Sequence, residues 1–283
     1  MIIDFHTHTF PDTIAAAAID KLQAASHTRP FADGTVAGLG RSMAAAGIDA
    51  SVVLPVATSA RQVPHINDSA IRLNHQARET GIYSFGGMHP DFEEADRELE
   101  RLAAAGIRGV KLHPPYQGVD FDDPRYLRIL KKAAEMGLAV LIHAGKDVGL
   151  PGAEQATPDK IRRAMDAVPE GTLILAHMGG WRCWEQAARL LPGTGAYIDT
   201  SFALGNMTPT GDGFYKTPDE LAMLTPDQAV DLIRLFGADH VLFGTDCPWS
   251  DQAAYLRQFQ ALPLTDREKT AILGGNAARL LGM

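Results

Sequence analysis

Short apolar, β-branched runs recur along the chain, and most are followed by a stretch with helical periodicity. The runs fall at 2–8, 50–57, 82–89, 107–113, 139–144, 173–178, 196–201 and 241–247. Amphipathic or Ala-rich segments at 65–80, 91–105, 123–136, 158–167, 181–190, 226–236 and 251–262 read as helices between them. Gly106 and Gly137 each stand where a helix must stop before the next strand, a place that favours a residue able to turn left-handed. Strands that are apolar on both faces and alternate with helices imply a parallel sheet. Eight such units in this length predict an α/β fold of the (β/α)8 barrel type. An open doubly wound sheet would place a Gly-rich phosphate loop after the first strand. Here that place holds Phe5-His-Thr-His-Thr-Phe10, and the barrel is preferred.

The whole chain, 1–283, reads as one barrel domain with no linker. Two connections are long, at 26–38 and 202–225, and both are candidate lids because βα loops lie over the catalytic rim of a barrel.

The balance of charge narrows the partners. Against 26 Lys and Arg stand 34 Asp and Glu, a formal net charge of −8, without basic clusters. That counts against nucleic acid and against a polyanionic substrate, and points to a small molecule. No apolar run approaches the roughly 18–20 residues of a membrane span. Two cysteines, Cys183 and Cys247, make no disulfide framework, and no signal sequence is visible, so a cytoplasmic location is expected. The sequence leaves a homodimer open.

Candidate chemistry is concentrated in the histidines. Six of ten, His6, His8, His89, His113, His143 and His177, end proposed strands, the rim where barrel enzymes gather their reactive groups. His65, His75, His27 and His240 have ordinary positions. Strand alternation sends His6 and His8 to one face, close enough to share a cation, and imidazole suits zinc and similar metals. Asp246 closes the last strand, next to the first in a closed barrel, as metal ligand or as general base. Of His143 and His177, one completes the metal shell; the other binds a second metal or polarises substrate. Lys111 and His113 share a face of strand four. Lys111 is either carbamylated, bridging two metals, or paired with a carboxylate; both residues rank first as substrate contacts. Asp4 is expected to orient a neighbour inside the barrel. Trp181, Met207, Phe214, Tyr215 and Trp249 lie in βα loops as candidates for an apolar substrate pocket.

Taken together, Asp4-Phe-His6-Thr-His8, Gly109-Val-Lys-Leu-His113-Pro, His143-Ala-Gly, His177-Met-Gly-Gly, Asp199-Thr-Ser, Phe243-Gly-Thr-Asp246 and the C-terminal Gly-Gly-Asn276-Ala-Ala-Arg-Leu-Leu-Gly resemble the amidohydrolase superfamily, over essentially the whole chain. The nearest branch is amidohydrolase-2, which includes aminocarboxymuconate-semialdehyde decarboxylase. The resemblance implies a divalent ion, zinc first and one ion rather than two, held by His6, His8, His143 and Asp246. His177 would then stand beside the water or the substrate carbonyl. No Glu ends strand four, unlike the TatD-type deoxyribonucleases. Two activities are implied. The first is hydrolysis of a small amide, lactone or ester with Asp246 as base; the alternative is non-oxidative decarboxylation of a small unsaturated or aromatic acid. The second needs a cation for the substrate carboxylate, with Arg29, Lys111, Lys146, Arg182 and Lys216 as candidates. A catalytically silent barrel used for binding is the third reading.

Overall fold

The computed structural model describes residues 1–283, and its eight parallel strands form a (β/α)8 barrel. They are β1 (Ile3–Thr7), β2 (Ala50–Val53), β3 (Ile82–Ser84, resumed at Gly86–Gly87), β4 (Gly109–Leu112), β5 (Ala139–Ile142), β6 (Leu173–Leu175), β7 (Tyr197–Asp199) and β8 (Val241–Leu242). Each pairs with the next in order. The ring closes through a seam between the first and last strands. Phe5 N–H donates to Phe243 O at 2.8 Å, Asp246 N–H to His6 O at 2.8 Å, and His8 N–H to Cys247 O at 2.7 Å.

Alternation divides the apolar residues into two sets. Val110, Leu112, Val140 and Ile142 face the surrounding helices. Ile3, Phe5, Val52, Phe85, Leu141 and Ile174 fill the barrel, with Ala277 and Leu281 of the terminal helix Asn276–Leu281 packed against them. Phe5 and Phe85 meet edge to face at 5.5 Å. Parallel strands this short are held by burial on both sides, and that is why they read as continuous apolar runs.

Three expectations need correction. The sequence reading assigned no helix before residue 65, yet α1 (Asp12–Ser26) and α2 (Val36–Ala46) occupy the β1–β2 connection. Both are rich in Ala and Gly, and α1 buries only Ala15, Ile19 and Ser26, so its apolar stripe is faint. The strands are also shorter than the apolar runs, which continue as irregular backbone into the rim loops. Finally, Asp4, expected to orient a neighbour inside the barrel, points to the helix side of β1. A register break between Asp4 and Thr7 interrupts β1. Phe5 and His6 both turn inward across it, while Asp4 bonds to Thr245 and to Gln252 of the helix Gln252–Gln260. Breaks of this kind re-aim side chains beside functional sites.

The connections expected as lids meet each other. Arg29 N–H donates to Thr208 O, Thr210 N–H to His27 O, and Tyr215 OH to Ser26 O, while His27 Nδ1 pairs with Asp212 at 2.7 Å. No helix is long and apolar enough to cross a membrane.

Candidate metal centre at the barrel rim

Five imidazoles stand in a row across the C-terminal rim, in the order His8, His6, His177, His143, His113. Their ring centres are 5.0, 5.1, 4.7 and 4.3 Å apart along it. His6 lies just beyond the break in β1, His143 follows β5, and His113 caps the short helix Pro114–Gln117 after β4. His177 and Asp246, expected on strand ends, instead sit past the last paired residue with φ of 59° and 67°. Left-handed backbone is costly for residues other than Gly and tends to cluster at functional sites.

Hydrogen bonds set the tautomers. His6 Nδ1–H donates to Asp199 Oδ2 at 2.7 Å, His8 Nδ1–H to Leu54 O at 2.7 Å, His143 Nε2–H to Lys146 O at 2.9 Å and His177 Nδ1–H to Ser201 O at 2.9 Å. Each ring therefore spends its proton outward and presents a bare nitrogen inward. Those lone pairs face one another: His6 Nε2 and His8 Nε2 at 3.2 Å, His177 Nε2 and His143 Nδ1 at 3.1 Å. Asp246 Oδ1 lies 3.4 Å from His6 Nε2 and 3.1 Å from His8 Nε2. So many acceptors converging without a proton between them call for a cation, and two imidazoles with one carboxylate make a donor set that fits zinc or manganese. The ligand atoms of His6, His8 and Asp246 all lie within 4.8 Å of one another. His177 and His143 offer their bare nitrogens further along the row.

A second compact group, His113, His143 and Asp147, fits a cation less well. His113 Nδ1 accepts from Tyr116 N–H, so its Nε2 carries the proton and faces Asp147 Oδ2 at 3.6 Å. His143 Nε2 is likewise a donor there.

Burial holds His6, His113, His143 and His177 below the usual imidazole range, so all four stay neutral at pH 7. For Asp246 burial pushes upward, but the His8 hydrogen bond and the neighbouring imidazoles outweigh it and hold the carboxyl well below its ordinary value. Lys111 is 1% exposed with Nζ 3.5 Å from His6 Nε2. Burial pushes it down to about 8 against the opposing charges of Asp199, Asp246 and Asp147. It is the cation built into this rim. Arg29, Lys146 and Lys216 are exposed, and the half-buried Arg182 donates to Glu220 O.

Trp181 and Trp249 join Phe202, Met207, Met223 and Tyr215 in an apolar cluster built by the loops after β6, β7 and β8. Phe214 does not belong to it: the ring is half exposed and stacks on His27 at 3.8 Å. His89 accepts from Asp91 N–H and serves its own turn. A cleft of about 190 Å³ among Leu130, Leu138, Glu170 and Thr194 lies at the opposite end of the strands, away from the histidines.

Two site residues escaped the list of candidates. Asp199, at the end of β7, takes the His6 proton on Oδ2 and accepts His177 N–H, Ser201 N–H and Ser201 OH on Oδ1. Asp147 follows His143 by four residues. The signal for Asp199 was its position, a carboxylate at a strand end like Asp246. An Asp199→Asn variant is expected to lose about 10–100-fold in zinc affinity, as changes in a ligand's hydrogen-bonding partner commonly do. Competition against a chromophoric chelator reads this; unchanged affinity would remove Asp199 from the site.

Several solved structures share this fold. The 2,6-dihydroxybenzoate decarboxylase from Rhizobium aligns with TM-score 0.70 at 17% identity, covering 99% of this chain and 98% of its own. The 5-carboxyvanillate decarboxylase from Novosphingobium aromaticivorans, solved with manganese and 4-hydroxy-3-methoxy-5-nitrobenzoic acid, aligns with TM-score 0.68 at 14% identity, covering 100% and 96%. A putative 2-pyrone-4,6-dicarboxylic acid hydrolase from Pseudomonas putida aligns with TM-score 0.65 at 18%, covering 99% and 97%. No curated protein matches the chain. The amidohydrolase family model matches residues 3–283, so this chain is an amidohydrolase-superfamily enzyme.

Proposed function

We propose that the protein is a metal-dependent decarboxylase of a small aromatic or unsaturated acid, working as one barrel domain. The observation that carries this reading is Lys111, a buried ammonium facing His6 on the rim. A substrate carboxylate suits that ammonium, and a planar ring suits the apolar side chains of the loops after β6, β7 and β8. Several decarboxylases and a putative hydrolase are among the structures similar to this chain.

His6, His8 and Asp246 would hold one divalent cation, zinc or manganese, with His143 or His177 as third imidazole. When bound, the cation supplies Lewis acidity towards the substrate's oxygens. The protein's own groups do the rest. The Lys111 ammonium draws the carboxylate into a site where water is scarce and charge interactions are strong. As the C–C bond breaks, its electron pair stays on the ring carbon and CO₂ departs. Lys111 Nζ, pushed down to about 8, then donates a proton to that carbon and is reprotonated from water. Neutral His177, fixed by Ser201, borders the reacting group. The segments 26–38 and 202–225, joined to each other by hydrogen bonds, act as the lid.

Hydrolysis with Asp246 as base is the weaker reading. A carboxylate held well below its usual range by neighbouring imidazoles is a reluctant proton acceptor. A cytoplasmic location goes with this reading. The test is a screen of the zinc- and manganese-loaded protein. Hydroxylated benzoates and unsaturated acids are assayed for CO₂ release, lactones and amides for acid release. CO₂ from any acid is the expected result; turnover confined to lactones or amides would overturn the assignment.

A further inference from the structure

Trp181 is 8% exposed, and its indole Nε1–H has no hydrogen-bond partner. A buried donor left unmade costs about 1–3 kcal/mol, and such orphans need an explanation. The neighbouring Trp184 shows the ordinary solution, with Nε1–H donating to His177 O at 3.0 Å.

The backbone of Trp181 is fixed beside the site. Its N–H donates to Ala144 O, next to His143, and its carbonyl accepts from Lys146 N–H. A side chain at Gly145 would strike that backbone at 2.3 Å, so the close approach is built in. The Arg182 guanidinium lies over the indole face, 5.1 Å from the ring centre. The Phe202 ring, just past Ser201, is centred 6.4 Å from that of Trp181, and Trp249, whose N–H donates to Asp246 O, packs against the same cluster. Trp181, Phe202 and Trp249 follow His177, Asp199 and Asp246 by four, three and three residues on their own loops.

We infer that Trp181 selects the substrate: its Nε1–H donates to an acceptor oxygen carried on the ring of the acid, away from the carboxylate held at Lys111. The apolar cluster takes the ring, and the indole reads one oxygen on it, so methoxy-, hydroxy- or oxo-substituted acids are preferred over their hydrocarbon counterparts. This rests on the ring-acid reading given above. Recognition of a hydrogen-bonding group by a buried partner discriminates strongly, because the analogue lacking it leaves the donor unpaired.

Matched probes separate the two claims. Methoxybenzoates and ethylbenzoates substituted at ring position 2, 3 or 4 differ only by oxygen for methylene. Binding to the zinc-loaded protein is measured by calorimetry, with Trp181→Phe alongside to keep aromatic bulk. The wild type is expected to prefer methoxy at one position by about tenfold, the worth of one hydrogen bond. Trp181→Phe should erase that preference, so that the methoxy and ethyl probes bind it alike. A second readout needs no variant: the Trp181 indole proton should move downfield with the methoxy probe and stay with the ethyl one. A methoxy preference that survives in Trp181→Phe, or none at any position in the wild type, overturns the role of Trp181 and leaves the ring-acid reading standing. If no benzoate of either series binds the wild type, the ring-acid reading falls and takes this role with it.

Discussion

Replacing Asp246 by Asn lowers kcat by about three orders of magnitude and also lowers bound metal, while the barrel stays folded. The expectation follows from where Asp246 sits. One oxygen lies within 3.4 Å of His6 Nε2 and 3.1 Å of His8 Nε2, and the carboxyl is held ionised there. An amide keeps the size and one acceptor but loses the charge that a hard or borderline cation needs. Asp246 N–H still closes the β1–β8 seam in the variant, because that bond is made by the backbone. Metal per chain by elemental analysis, and kcat on the substrate found in the screen, read the two effects separately. Near-normal turnover would remove Asp246 from the reaction altogether.

Lys111→Met is the other large effect. Methionine fills the buried space without the charge, so metal content should hold while kcat falls by about 10²–10⁴-fold. The pH profile gives the sign. Burial lowers the Lys111 pKa to about 8, so the ammonium persists below that value and disappears above it. A wild-type rate that needs the ammonium declines as pH rises through about 8, and earlier once a cation is bound nearby. Lys111→Arg, charged at every working pH, should flatten that limb even if its rate is poor. A wild-type profile flat to pH 10 would refute the ammonium's part in the reaction.

The barrel was legible because burial on both faces leaves an unmistakable mark: β4 and β5 are apolar at nearly every position. The histidine row was legible for a related reason, since each member ends such a run. What resisted reading had weak or non-local causes. The helix Asp12–Ser26 buries too little to print a stripe. The inward turn of His6 directly after Phe5 depends on a register break that composition does not announce. The tautomers depend on carbonyls such as Leu54 O and Ser201 O, which any residue could supply. Asp199 was visible as a strand-end carboxylate, but its bond to His6 joins positions 193 residues apart.

The seam between β1 and β8 also bears on how the protein is made. Asp4 and Thr245, bonded across it, are 241 positions apart in the chain. A ribosome exposes His6 and His8 long before Asp246. Pairings between such distant segments form late, since the intervening loop must close first. A chain synthesised only that far lacks the carboxylate of the proposed ligand set, and on that proposal tight metal capture waits until β8 has docked.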